Sequence, residues 1–143
     1  MRKIIFVLLW LIPQFSLAGE LQTTKETKEL SENIVGYFIK ADFKKGLELA
    51  KPFWPLPEVE IDGLANQIAT QWPVVQQRFG KATGKEFVRE ESIGKSFVRY
   101  YYLHKFENHS LLWRFTFYKP LNTWKINGIQ YIDDFDYLFE SRN

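Results

Sequence analysis

Ser96 to Lys119 reads SFVRYYYLHKFENHSLLWRFTFYK. Two runs rich in aromatic and aliphatic residues flank Asn108-His109, and both alternate with period two, as strands do. A two-residue turn at Asn108-His109 pairs Phe106 with Leu111, His104 with Trp113, Tyr102 with Phe115 and Tyr100 with Phe117. In that phase all eight side chains share one side of the sheet. Shifting the pairing by one residue would set Leu111, Trp113, Phe115 and Phe117 beside Arg99 and Lys105, so the first phase separates apolar from charged residues better.

Outward from this hairpin, Glu86 to Ile93 and Trp124 to Asp133 read as two more strands beside Ser96 to Glu107 and Ser110 to Lys119. Gly94-Lys95 is a second two-residue turn and Pro120 to Thr123 a four-residue one. Such short connections make an antiparallel meander. Continuing the register adds Phe87, Trp124, Ile126 and Ile132 to the aromatic face, together with Arg89 and Glu91 near the Gly94 end. Val88, Glu90, Ile129 and Tyr131 fall on the opposite face, with Glu90 across from Arg99. That face also carries Phe97, Arg99, Tyr101, Leu103, Leu112, Arg114 and Tyr118, a mixture that protein interfaces favour. It is expected to form a homodimer, the competing account being that long arginine and lysine stems cover it.

The residues before Gly84 are helical. Thr23 and Glu26 have capping-box spacing, and Leu30, Ile34, Tyr37 or Phe38, and Ala41 follow as an apolar stripe. Asp42 can cap a further short stretch through Phe43, Leu47 and Ala50, so the first helix is kinked or split there. Lys51 to Pro57 holds three prolines and cannot be regular helix; Phe53-Trp54 within it suits a core plug better than a lid. A second helix is expected from Asp62 to Phe79, kinked at Pro73 and ended by Gly80. The fold class is therefore α+β, with N-terminal helices packed on a curved four-stranded antiparallel meander.

At the other end, Met1-Arg2-Lys3, the apolar run Ile4 to Ile12, and Ser16-Leu17-Ala18 before Gly19 have the order of a secretory signal. Nine residues of helix span about 14 Å, well short of a ~30 Å bilayer core, which disfavours a membrane anchor. Residues 1–18 are thus expected to be cleaved, leaving residues 19–143 as one exported domain with no stable membrane anchor, periplasmic or extracellular. The chain has no cysteine, which fits a domain of this size burying its own core without disulfides. Loss of Arg2 and Lys3 brings 19 basic residues level with 17 acidic ones. Scattered, balanced charge argues against nucleic acid as a partner.

The break at Ala41-Asp42-Phe43 within Tyr37 to Leu49, the helix end Arg78-Phe79-Gly80 and the strand Trp124-Lys125-Ile126-Asn127-Gly128-Ile129 resemble the cystatin-like cone fold of nuclear transport factor 2 and its relatives. The resemblance covers nearly all of residues 19–143 through element order. It implies a pocket between the helices and the concave side of the sheet, and an outer sheet face available for dimerisation. Enzymes and binding modules both use such a fold.

Candidate chemistry is sparse. His104, on the aromatic face near Tyr102 and Trp113, has no aligned acid, which suits a hydrogen-bonded core-edge histidine better than a proton shuttle. Arg89 and Glu91 on that face would mark where the core opens to water, with Tyr100 at the wall. Arg89, Glu91, Tyr100, Tyr102, His104 and Trp113 are the expected ligand contacts. Asp133-Asp134-Phe135-Asp136 lacks the spacing and loop glycine of a calcium site, and no zinc set, phosphate loop or nucleophile elbow is present. No cofactor or metal is expected. The expected function is an exported, non-enzymatic binding module for a small apolar ligand or a protein partner. The alternative is a small-molecule isomerase, dehydratase or hydrolase working in the concave pocket, and a third reading is a structural component of an envelope assembly.

Overall fold

The computed structural model describes residues 19–139. The expected signal segment, 1–18, lies outside them. The described chain runs α1 (Thr24–Ile39), α2 (Phe43–Ala50), a 3-10 turn (Lys51–Phe53), α3 (Glu58–Phe79), β1 (Ala82–Ile93), β2 (Phe97–Phe106), β3 (Ser110–Tyr118), β4 (Lys125–Ile132) and a short α4 (Asp136–Phe139). The four strands form one open antiparallel sheet in the order β1-β2-β3-β4. This is an α+β fold with its main helices ahead of a meander.

Local chemistry explains the helix boundaries. The Thr23 side chain accepts from the Glu26 backbone N–H (3.2 Å) while Glu26 accepts from the Thr23 N–H (3.1 Å), so the capping box is formed. α1 and α2 are separate helices: Ala41 adopts φ 58°, and Asp42 then caps α2 by accepting from the Lys45 N–H. The split lets α2 fold back on α1. There Gly46 permits close approach, since a Cβ at that position would sit 2.6 Å from Cε1 of Phe38. α3 begins at Glu58, four residues earlier than the sequence suggests, because Pro57 serves as its N-cap and Ile61 is drawn into the core. Pro73 lies inside α3 without ending it. Beyond Gly80 (φ 85°), the Glu107 carboxylate accepts from the Lys81 N–H and the Asn108 N–H donates to the Phe79 carbonyl. Those bonds bolt the end of α3 to the β2–β3 loop.

All three of these main helices pack on the same side of the sheet. Phe38 of α1 meets Trp113 (ring centroids 4.6 Å), Phe43 of α2 meets Trp113 (6.3 Å), and Trp72 of α3 meets His104 (5.4 Å). Val98, Tyr100, Tyr102, Phe106, Leu111, Trp113, Phe115 and Phe117 are all buried in this core. Trp54 joins it, so the proline segment plugs the core.

The register corrects the expectations in three places. First, Lys105 lies opposite Ser110 and the Phe106 N–H donates to the His109 carbonyl, so the β2–β3 turn is centred on Glu107-Asn108, one residue earlier than expected. Direct partners therefore move by two: Tyr102 faces Trp113, His104 faces Leu111 and Tyr100 faces Phe115. A shift of two preserves parity, so the rings still share one face.

Second, the β1–β2 turn has three residues, Gly94 to Ser96, and Ile93 pairs with Phe97. This odd shift sets Arg89 opposite Tyr101, Glu91 opposite Arg99, and Glu90 opposite Tyr100. A bulge between Phe87 and Arg89 absorbs the extra residue and restores the expected Phe87–Tyr102 pair. Arg89 and Glu91 consequently lie on the outer face, and Glu90, not facing Arg99, lies on the helix side.

Third, a shift between Thr116 and Phe117 leaves Asn127 as an extra residue in β4. Beyond it, Ile129 pairs with Phe115 and Tyr131 with Trp113, so both turn toward the helices while Ile132, opposite Leu112, turns outward.

Candidate binding site

Reversal of β4 shapes an apolar hollow on the helix side of the sheet. Ile129 and Tyr131 form one wall, Leu64 and Ile68 of α3 the other, and Phe38, Leu47 and Trp113 the floor, enclosing about 310 Å³ with Gln130 at the edge. The Tyr131 ring meets Trp113 edge-on (5.6 Å) and its hydroxyl donates to Gln71 Oε1 (3.2 Å), bridging β4 to α3. This volume falls at the lower end of the ~300–1,000 Å³ usual for small-molecule sites. Among the described residues, no carboxylate, lysine, arginine or histidine lines the hollow. It can bury apolar surface and offer a phenol or an amide to one polar group; its lining holds no pair of titratable groups for proton transfer.

The expected ligand contacts divide. Trp113 lines this hollow. His104 and Tyr102 share its face but are sealed in the core. Trp113 Nε1–H donates to His104 Nδ1 (3.2 Å), and the imidazole lies stacked near the rings of Trp72 and Phe106. Because Nδ1 accepts, the neutral ring carries its proton on Nε2. Desolvation pushes the His104 pKa down to about 4, so the side chain is neutral at physiological pH. Tyr100 is a strut: its hydroxyl lies 2.8 Å from Thr27 Oγ1 and donates to the Thr24 carbonyl, tying β2 to the first turns of α1. Burial raises the Tyr100 and Tyr102 pKa values, the Glu32 carboxylate adding to the second. Arg89 and Glu91 do not belong to the concave side. They pair on the outer face at 2.9 Å, where the Arg89 guanidinium lies 5.2 Å from the Tyr101 ring centre and Glu91 accepts from the Tyr101 hydroxyl.

Sequence reading places Ile129 and Tyr131 on the wrong face and misses Leu47, Leu64 and Ile68 as site walls. The signal for β4 is present in Asn127-Gly128, since a glycine inside a strand pattern marks a bulge. Among the outer-face residues, Tyr101 and Leu112 are buried, Phe97, Arg99, Leu103 and Arg114 are half-buried, and Tyr118 is exposed. A broader groove of about 420 Å³ runs between α1 and β1, crossed by the Lys85–Glu32 ion pair (2.8 Å). It is more open to solvent than the hollow, and Glu32, Asn33, Lys40 and Lys85 stand among its lining residues. Among the described residues no group of three or more acidic or histidine side chains could hold a metal ion, and no helix is long and apolar enough to cross a membrane.

Fold and site together define a helix-backed antiparallel sheet with an apolar hollow at its β4 edge. No protein-family model, curated protein or solved structure matches the chain.

Proposed function

We propose that this chain is an exported, non-enzymatic binding module of the cystatin-like cone kind, taking a small apolar ligand in the hollow between α3 and β4. The observation that carries this reading is the hollow itself: about 310 Å³ walled by aliphatic and aromatic side chains and free of titratable acid–base pairs. Burying apolar surface yields roughly 25 cal/mol per Å², so a compact hydrocarbon gains affinity there without any charged contact. His104, the histidine on that face, is neutral and fully buried, which weakens the case for an acid–base enzyme.

Titration with N-phenylnaphthylamine, an uncharged dye that brightens in apolar surroundings, tests the proposal. Saturable binding should be displaced by naphthalene and abolished in Leu64→Trp, where the added ring fills the hollow. Absence of saturable binding, or equal binding by a stably folded Leu64→Trp, removes the reading. The proposal includes export, supported by the signal pattern at residues 1–18; the secreted protein should then begin at Gly19. It also includes a homodimer through the outer face, to which the exposed Tyr118 and the half-buried Phe97, Arg99, Leu103 and Arg114 would contribute. A bare monomer in native mass spectrometry at micromolar concentration would exclude that dimer.

A further inference from the structure

The outer face bears a second depression, of about 240 Å³, at the end of the sheet next to the Gly94 turn. Two of the irregularities described above shape it. The three-residue turn brings Glu91 and Ile93 to this side, and the β4 bulge sets Asn127 at its rim. Ile93 and Phe97 supply an apolar wall, with Phe97 stacked on Tyr118 (4.8 Å between ring centres).

Arg99 at the base of this depression has unusual surroundings. It is half-buried, and its Nε–H donates to Thr116 Oγ1 (3.1 Å), which holds the guanidinium in place. No carboxylate pairs with it among the described residues, even though Glu91 stands directly across the strands. The Glu91 carboxylate is engaged by Arg89 at 2.9 Å and by the Tyr101 hydroxyl at 3.0 Å. A partly desolvated cation without a counter-charge is costly, and a guanidinium whose Nε is occupied keeps the two-pronged Nη edge that matches a carboxylate.

We propose that in the monomer this depression is a binding site for a small monocarboxylate with a compact apolar body, anchored by Arg99, separate from the hollow on the helix side, and in competition with an outer-face dimer that would cover Phe97. The head group binds the guanidinium and the body lies against Ile93 and Phe97. Succinate and inorganic phosphate carry no compact apolar body to lay against Ile93 and Phe97, so an apolar monocarboxylate is selected over them. The restricted volume favours acids about the size of benzoate over long-chain fatty acids.

The test is a two-dimensional amide NMR titration of the 15N-labelled protein with benzoate, repeated with succinate and with inorganic phosphate. Benzoate should produce saturable shifts at Phe97, Arg99 and Asn127. Arg99→Gln should weaken binding about tenfold or more, with Arg99→Lys intermediate. Ile93→Glu, a change at an exposed rim position that leaves the core intact, should weaken benzoate similarly through repulsion and serves if Arg99→Gln does not fold. Dye binding in the hollow should persist in both folded variants, so failure of one site is distinguishable from failure of the other. The proposal is overturned if benzoate gives no saturable shifts there, if phosphate or succinate binds as tightly, or if Ile93→Glu and every folded Arg99 variant bind benzoate like the wild type.

Discussion

Replacing His104 by glutamine isolates a pH dependence that the core builds into this protein. The imidazole is fully buried, and desolvation lowers its pKa from 6.5 to about 4. Because the folded pKa is depressed, the folded state binds the proton later than the unfolded chain as pH falls. The neutral ring's contribution to stability is whole above pH 6.5, declines below it, and is fully lost once the pH passes below about 4. At about 1.4 kcal/mol per pH unit, the loss is roughly 2 kcal/mol by pH 5 and about 3 kcal/mol when complete. The substituted glutamine has an amide oxygen that can replace Nδ1 as acceptor for the Trp113 N–H, but it does not titrate. Urea denaturation of both proteins at pH 8 and pH 5 should show the wild type losing about 2 kcal/mol more than His104→Gln. Equal losses, or a His104 pKa of 6 or above by NMR, would refute the assignment of a desolvated, neutral core histidine.

Three further substitutions probe the architecture by the same denaturation assay. Gly46→Ala would place a Cβ 2.6 Å from the buried Phe38 ring and 3.2 Å from the Ile34 carbonyl. Overpacking of about 1–3 kcal/mol should outweigh the ~1 kcal/mol gain in helix propensity, so the variant should be less stable. Tyr100→Phe keeps the ring but removes the hydroxyl contacts to Thr27 and Thr24, for an expected loss of about 1 kcal/mol. Thr23→Ala breaks the capping box at α1 and should also cost about 1 kcal/mol, with no change in dye binding.

Much of the fold is legible because its signals are local. Thr23 with Glu26, Asp42 before Phe43, and Gly80 after Phe79 mark helix ends through bonds made within a few residues. The single-sided aromatic face follows from alternation in two adjoining strands, and it survives a pairing displaced by two residues from the expected one. The candidate site is less legible. Trp113 is recognisable, but Ile129 and Tyr131 fall outward when unbroken alternation is carried past Asn127-Gly128. Arg89 and Glu91 fall inward for the corresponding reason at the Gly94 turn. Leu64 and Ile68 are visible as a helical stripe, yet nothing local says which strand that stripe opposes.

Caps and alternation depend on near neighbours, so the class is readable in the chain alone: helices ahead of an antiparallel meander, and one side of the central hairpin rich in rings. Turn positions, the bulges beside Val88 and at Asn127, and hence the faces of Arg89, Glu91, Ile129 and Tyr131, emerge only from the assembled sheet. A bulge costs little locally yet inverts every side chain beyond it. Whether it forms is settled by the packing and hydrogen bonding that the whole sheet gains.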